Sequence, residues 1–154
     1  MKDIKKILLP TDFSEGSIAV ISYVLSLAGK YDAHIDILHI IHEFGDMTDF
    51  YVPHMSYDVI EKEMEDAARN NMENFCRENV EGKAKFEIHT RKGTPFLEII
   101  QAARDLQSDL IVMGTHGRTG IDHILFGSTA EKVVRKSPIP VLTVRGEGKD
   151  FKMP

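Results

Sequence analysis

Cysteine is nearly missing from this chain. Cys76 is the single cysteine among 154 residues, which rules out an intramolecular disulfide and is compatible with a reducing compartment. Nothing in the neighbouring sequence marks a base that could activate the thiol, so we expect Cys76 to serve packing. A chain of this length buries about 68–70% of its unfolded surface on folding, so its core requires no disulfide and no structural metal.

Long apolar runs and an excess of positive charge are also missing. The apolar runs fall far short of the roughly 20 residues that a membrane helix needs, and no signal-peptide core precedes Thr11. The net charge is −5, which argues against a dedicated nucleic-acid binder but not against a nucleotide held locally by backbone amides. We therefore expect a cytoplasmic protein with no membrane or nucleic-acid partner.

Two well-known phosphate-binding motifs are absent. The Gly-Lys pairs at 29–30 and 82–83 lack the Gly-x4-Gly-Lys-Ser/Thr context of a P-loop, and Gly-x-Gly-x-x-Gly does not occur. These absences exclude a P-loop enzyme and a dinucleotide-dependent dehydrogenase of the usual kind.

The seven histidines are scattered and show no zinc-ligand spacing with a cysteine or a carboxylate, so the sequence predicts no structural metal. His39 lies in an apolar strand and is interpreted as a core group with its hydrogen bonds satisfied. His116 lies in a Gly-rich loop, where contact with a phosphate and simple exposure to solvent both stay open.

What the chain does contain is an alternation of strand and helix patterns. The order βαβαβαβαβ predicts an α/β fold: one domain with an open, twisted, parallel five-stranded sheet, order 3-2-1-4-5, and helices on both faces. We expect the domain to span residues 1–146 and a flexible tail to span 147–154. In the first helix Ser14 is the expected N-cap and Gly29 the expected stop, and residues 42–55 are expected to form a loop.

The last predicted strand, Val141–Val144, is short and apolar and falls at an edge of this sheet. An uncovered edge of that kind tends to pair with another chain, so we predict a homodimer through this strand.

In such a sheet ligands bind beyond the carboxyl ends of the strands, where the strand order reverses. The reversal falls between the first and fourth strands. It brings Pro10-Thr11-Asp12 close to Gly114-Thr115-His116-Gly117.

The stretch from Gly114 to Ser128 carries the strongest chemical signal. Its glycines let the backbone approach a ligand closely, and Arg118 adds a cation that can fork onto a phosphate. Gly127-Ser128-Thr129 precedes a helix, where free amides and the helix dipole favour an anion. The residues alone leave two interpretations open: a phosphate-binding loop, or an ordinary loop with Ser128 as a helix N-cap.

Asp12 also has two interpretations. A carboxylate beside a triphosphate is repelled unless a cation separates them, so Asp12 would contact a ribose hydroxyl or Mg²⁺. The alternative is a helix cap directly after the first strand.

The spacing Gly114-x2-Gly117-x9-Gly127-Ser128 resembles the ATP-binding signature of the universal stress protein family. Residues 7–14, 110–114 and 137–142 resemble the same family, and the resemblance covers residues 3 to 145. It implies a Rossmann-like fold of the adenine nucleotide alpha hydrolase type, a homodimer, and membership of the ATP-binding branch. It also implies one adenine nucleotide per subunit: ATP, or ADP or AMP, with Mg²⁺.

The resemblance further implies the role of each matching residue. Pro10, Thr11 and Asp12 would line the adenosine and metal side, with Asp12 as the metal contact. The backbone of Ile40 would face adenine, and Met113 and Gly114 would border the ribose. The residues expected at the phosphates are Gly117, Arg118, Gly127, Ser128 and Thr129, with His116 beside them.

Three functions compete at this point. The first is an ATP-binding stress-response regulator or sensor that acts as a homodimer on an unidentified protein partner. The second is a slow ATPase or phosphotransferase, for which Asp12, His116 and Asp122 are the candidate groups near the loop. The third is a structural dimer module with a vestigial pocket.

Overall fold

The structure is a computed structural model that describes residues 3–42, 57–116 and 127–146. The predicted loop from residue 43 onward and the predicted tail lie outside these ranges. Within them five strands alternate with four helices. In chain order they are β1 (Lys6–Pro10), α1 (Glu15–Tyr31), β2 (His34–Ile41), α2 (Tyr57–Asn79), β3 (Phe86–Lys92), α3 (Pro95–Asp105), β4 (Leu110–Gly114), α4 (Ser128–Lys136) and β5 (Val141–Val144).

The strands form one parallel sheet in the order β3-β2-β1-β4-β5, which confirms the predicted order. β1 pairs with β2 from Lys6 opposite His34 to Pro10 opposite Leu38. β1 also pairs with β4, so the order reverses between these two central strands. The carboxyl ends of β1 and β4 therefore lie side by side at the switch point.

Alternation along the strands divides the core into two layers, one on each face of the sheet. Ile7 and Leu9 of β1 face the layer that α1 and α2 cover, where Val20 and Met72 are fully buried. Leu8 faces the other layer, which α3 and α4 cover. Helices on both faces are thus confirmed.

The two ends of α1 follow different local rules. Ser14 is the N-cap, as predicted, and its side chain accepts a hydrogen bond from the Ser17 amide. The predicted stop at Gly29 is wrong, because the helix continues to Tyr31. Asp32 takes the left-handed conformation, with φ 49°, and its amide donates to the carbonyl of Ala28, which closes the helix.

Cys76 is buried at the end of α2, as predicted. Burial raises the pKa of its thiol to about 11, with Glu81 adding to the shift. A thiol with a raised pKa is a poor nucleophile at neutral pH, which agrees with a packing role. Among the described residues, none of the helices combines the length and the hydropathy that a bilayer crossing requires.

Candidate functional site

A cleft of about 550 Å³ opens at the carboxyl ends of β1, β2 and β4. The starts of α3 and α4 border it on one side, and the middle of α2 covers the other. It occupies the switch point of the sheet, which is where the sequence predicted a ligand.

Ten of the twelve predicted site residues line this cleft. They are Pro10, Thr11, Asp12, Ile40, Met113, Gly114, His116, Gly127, Ser128 and Thr129. Gly117 and Arg118 lie outside the described residues, as does Asp122. The fold therefore brings together side chains from four separate segments of the chain.

Within the described residues, the start of α4 is open at its backbone. Gly127 is the N-cap residue, with φ −67° and ψ 154°, and it has no side chain to accept an amide hydrogen bond. The first hydrogen bond of the helix runs from the Glu131 amide to the Gly127 carbonyl, 3.0 Å. The amides of Ser128, Thr129 and Ala130 precede that bond, and the helix dipole adds positive potential there. Ser128 is the first helical residue, so its interpretation as N-cap is wrong.

Two backbone hydrogen bonds hold the residue that precedes α4 in position. The Gly127 amide donates to the Thr115 carbonyl at 2.6 Å, and the Thr115 amide donates to the Val144 carbonyl at 3.0 Å. The start of α4 is thereby tied to the ends of β4 and β5. Open amides held at a rigid position suit an anion, because no ordering is needed when the anion binds.

The carboxylate of Asp12 takes part in the start of α1. Its Oδ1 accepts hydrogen bonds from the Ser14 amide at 3.0 Å, the Ser14 hydroxyl at 2.5 Å and the Ser17 hydroxyl at 2.8 Å. The helix-cap role that the sequence left open is therefore present. Asp12 also lines the cleft, so its contact with a ribose or a cation stays a prediction.

Two aromatic rings form the floor of the cleft beside Asp12. His39 lies 2.8 Å from the Thr11 carbonyl through Nδ1, so this nitrogen is hydrogen-bonded as predicted. The predicted place in the core is wrong, because His39 is half-buried and lines the cleft. Its ring centroid is 4.5 Å from that of Phe13. Phe13 has φ 64°, an unfavourable conformation for a bulky side chain, and its amide donates to the Thr11 hydroxyl. Backbone strain of this kind concentrates at binding sites.

Gly16 and Gly114 let two backbone segments touch beneath the cleft. A Cβ atom on Gly16 would lie 2.4 Å from the His116 carbonyl oxygen, and one on Gly114 would lie 2.8 Å from the Gly16 carbonyl oxygen. The first turn of α1 therefore packs directly on the end of β4. For Gly114 this contact is a structural reason for glycine, in addition to the predicted closeness to a ribose.

The sequence profile of the universal stress protein family matches residues 3–145. This chain belongs to the universal stress protein family. Among its relatives are two from Methanocaldococcus jannaschii. Universal stress protein MJ0577 is 33% identical over 153 residues, covering 92% of this chain and 94% of the relative. Universal stress protein MJ0531 is 30% identical over 148 residues, covering 95% and 85%.

Solved structures agree with this assignment. The structure of MJ0577 has a TM-score of 0.82 at 32% identity, covering 96% of this chain and 99% of that one. A universal stress protein in complex with cAMP has a TM-score of 0.59 at 23% identity, covering 95% and 100%. A family member from Arabidopsis thaliana with AMP bound has a TM-score of 0.65 at 17% identity, covering 94% and 93%. The last two likenesses show the fold alone.

The wall that α2 contributes to the cleft of this universal stress protein was missed from the sequence. Met64 lines the cleft together with Ala67, Ala68 and Asn71. The spacing of these four residues puts them on one helix face, and two alanines there leave room for a ligand. That signal was hidden because the same face continues into the core at Met72.

Lysine and glutamate side chains hold this wall in position. Lys92, at the end of β3, forms ion pairs with Glu61 and Glu65 in the first half of α2. The hydrogen bond from Lys92 lowers the pKa of Glu65, and the bonds to both carboxylates raise the pKa of Lys92. Ion pairs thus connect α2, which covers the cleft, to the edge strand β3.

Proposed function

We propose that this universal stress protein belongs to the ATP-binding branch and holds an adenine nucleotide in the cleft. ATP is the preferred ligand, with ADP and AMP as alternatives, and the protein acts as a homodimeric regulator or sensor in the stress response. The open start of α4, facing the switch point of the sheet, is the observation that carries this proposal.

The chemistry of the cleft supports a nucleotide over a purely apolar ligand. Its volume of about 550 Å³ is within the range of ordinary small-molecule sites. Ile40 and Met64 offer apolar surface for a base, and the amides of Ser128 and Thr129 offer donors for phosphate oxygens. The cAMP and AMP complexes of two family members are consistent with an adenine nucleotide in this fold.

Mg²⁺ is proposed to accompany ATP, with Asp12 on the metal side. A divalent ion would neutralise the repulsion between this carboxylate and the phosphates. Replacement of Asp12 by Asn should remove the strengthening of ATP binding by Mg²⁺ and leave the affinity for AMP nearly unchanged. Calorimetric titration with and without Mg²⁺ measures both effects. Equal loss of ATP and AMP affinity would assign Asp12 to helix capping alone.

Nucleotide binding can be tested directly on the purified protein. After denaturation of a fresh preparation, the supernatant is run on a nucleotide column, and the apoprotein is then titrated with ATP, ADP and AMP. Gly127→Trp is the matched control, because an indole at the N-cap position blocks the start of α4 while leaving the rest of the cleft in place. If the supernatant contained no nucleotide and the apoprotein had no measurable affinity for any of the three nucleotides, the protein would be a structural dimer module.

The same preparation separates a regulator from an enzyme. Release of phosphate from ATP is measured for the wild-type protein and for Gly127→Trp. Equal rates support a binding regulator, and a clearly faster wild-type rate would make the protein a slow ATPase.

The homodimer is proposed to form through β5. β4 covers one side of this strand, from Ile111 opposite Val141 to Gly114 opposite Val144, and β5 is the last strand of the sheet that the described residues form. Leu142 is 38% exposed on it. Leu142→Lys should shift the dimer toward monomer in light scattering, because a charge on an edge strand opposes pairing. A wild-type monomer at micromolar concentration would rule the contact out.

A further inference from the structure

Asp36 is a buried carboxylate that the nucleotide cleft does not use. It lies in the first half of β2 and is 2% exposed. Its Oδ2 is buried and has no hydrogen-bond partner within the described residues. Its ion-pair partners in those residues are two imidazoles, His34 Nε2 at 3.7 Å and His89 Nε2 at 2.9 Å from Oδ1. A buried carboxylate with an unsatisfied oxygen requires a compensating charge or donor.

A second carboxylate stands next to it on the neighbouring strand. Glu87 of β3 is the register partner of Asp36 and is exposed. Two adjacent carboxylates repel each other unless a cation lies between them. Arg91, two residues beyond His89 on the same face of β3, pairs instead with Asp105 at 2.8 Å and Glu98 at 3.9 Å.

We propose that His34, Asp36 and Glu87 bind a divalent transition-metal ion of the zinc type, and that His89 orients the carboxylate of Asp36. His34, Asp36 and Glu87 each offer one ligand atom, and these atoms lie within 4.8 Å of one another. Imidazole nitrogen with carboxylate oxygen is a ligand set that suits Zn²⁺ and its first-row neighbours, whereas Mg²⁺ and Ca²⁺ prefer oxygen alone.

The geometry is close to what such an ion needs. Ligand atoms about 2.0–2.1 Å from a tetrahedral ion are about 3.3 Å apart. The His34–Asp36 separation of 3.7 Å is already near that value. Glu87 is an exposed side chain on an edge strand, so it can close the remaining distance by a rotamer change. The bond between His89 and Asp36 is the outer contact that commonly fixes a ligating carboxylate.

The strand arrangement explains why the sequence did not reveal this cluster. Its four residues come from two His/carboxylate pairs, each spaced i, i+2, so each pair lies on one face of its strand. Parallel pairing of β2 with β3 then brings the two pairs together. Neither pair alone has a zinc-finger spacing, and the distance along the chain between them conceals the contact.

The cluster is separate from the nucleotide cleft. None of its four residues is among those that line the cleft. Asp36 precedes Leu38, the nearest cleft residue on its side of β2, by two residues, about 7 Å along the strand. A bound ion would join the edge strand β3 to β2, and it does not require a nucleotide.

The test uses the full-length protein freed of nucleotide and metal. Zn²⁺ is titrated by calorimetry, and Co²⁺ is added in parallel to observe the visible absorption of a low-symmetry site. We expect one ion per chain, at least tenfold weaker binding in His34→Gln and in Glu87→Gln, and about tenfold weaker binding in His89→Gln. Glu73→Gln, an exposed carboxylate on α2, is the matched control and should bind as the wild type does.

The side chains of His34 and Glu87 reach solvent, so these two variants test the site without depending on the buried carboxylate. Circular dichroism checks that each variant is folded. Asp36→Asn, where folded, should abolish the rise in melting temperature that Zn²⁺ gives the wild type. Unchanged Zn²⁺ affinity in both His34→Gln and Glu87→Gln would overturn the proposal and assign any binding to scattered surface histidines. Failure of nucleotide binding would not affect these results.

Discussion

Two helices begin at the switch point of this sheet, and they begin in opposite ways. α1 follows β1, and the side chains of Ser14 and Asp12 accept hydrogen bonds from amides at its start. α4 follows β4 by a longer connection, and its N-cap residue, Gly127, offers no side chain. Both starts carry the positive end of a helix dipole. Some of the first amides of α1 are hydrogen-bonded by side chains, whereas within the described residues no side chain caps the first amides of α4.

The difference shows how one structural feature can serve stability or binding. A helix start that is capped by neighbouring residues fixes the fold, and its amides are unavailable to a ligand. A start with glycine at the N-cap contributes less to stability and keeps donors free for an anion. The comparison predicts that substitutions at α4 change nucleotide affinity, whereas substitutions at α1 change the free energy of unfolding.

The largest expected effect is at α4. Ser128→Pro removes one amide, yet proline is favoured at the first helical position and the extended backbone of Gly127 suits a following proline. Loss of one hydrogen bond to a charged group corresponds to about 1.5–3 kcal/mol, so ATP affinity should fall about ten- to hundredfold. Ser128→Ala, which keeps the amide, is the control in the same calorimetric titration. Equal affinities for the two variants would contradict an amide-based site.

The next effect tests the packing of α1. Gly16→Ala would press a methyl group against the His116 carbonyl, and overpacking of this kind lowers the free energy of unfolding by about 1–3 kcal/mol. Gly29→Ala, near the other end of the same helix, meets no atom within 4 Å and should raise it by about 0.5–1 kcal/mol. Urea denaturation measures both. A neutral Gly16→Ala would mean that the two segments separate easily.

The fold could be predicted from the sequence because its signals are local. Apolar runs such as Ile7–Leu9, turn residues and helix stripes occur within single elements, and the rules for parallel sheets order those elements. The open start of α4 was predictable in part, since small residues precede a helix there. Whether Gly127 or Ser128 caps the helix depends on one pair of backbone angles, which composition does not determine.

Contacts between distant segments could not be predicted in the same way. Nothing in the sequence around Gly16 marks this residue, and only its closeness to His116 gives it a role. The cleft wall of α2 and the cluster around Asp36 have the same origin, since each joins residues from different elements. Sequence patterns identify faces, but the partner of a face is decided by tertiary packing.

A smaller effect compares the same substitution at both helix starts. Ser14→Ala removes the cap of α1 and should lower the free energy of unfolding by about 1 kcal/mol. Ser128→Ala removes no capping bond in the described structure and should change it by less than about 0.5 kcal/mol. Thermal and urea unfolding of the two variants give the difference. Equal losses would mean that the hydroxyl of Ser128 stabilises α4 after all.

The smallest effect concerns the third helix at the cleft, α2, which is held by charge. Lys92 lowers the pKa of Glu65 from its ordinary value of 4.5. The stabilisation that this ion pair gives is therefore present above pH 4.5 and is lost as the pH falls through the lowered pKa. The protection factors of amides in the first half of α2, which correct for the pH dependence of intrinsic exchange, should therefore fall in acid, and Lys92→Met should lower them already at neutral pH.

Lys85→Met is the matched control for that experiment. Lys85 also forms an ion pair, 3.4 Å from Asp32, but both side chains are largely exposed and lie away from the cleft. Exposed pairs of this kind contribute little, so α2 should exchange as in the wild type. If both lysine variants left exchange in α2 unchanged, the helix would be held over the cleft by its apolar contacts alone. The cleft would then have two walls fixed by backbone contacts and hydrogen bonds, and a third that depends on hydrophobic packing.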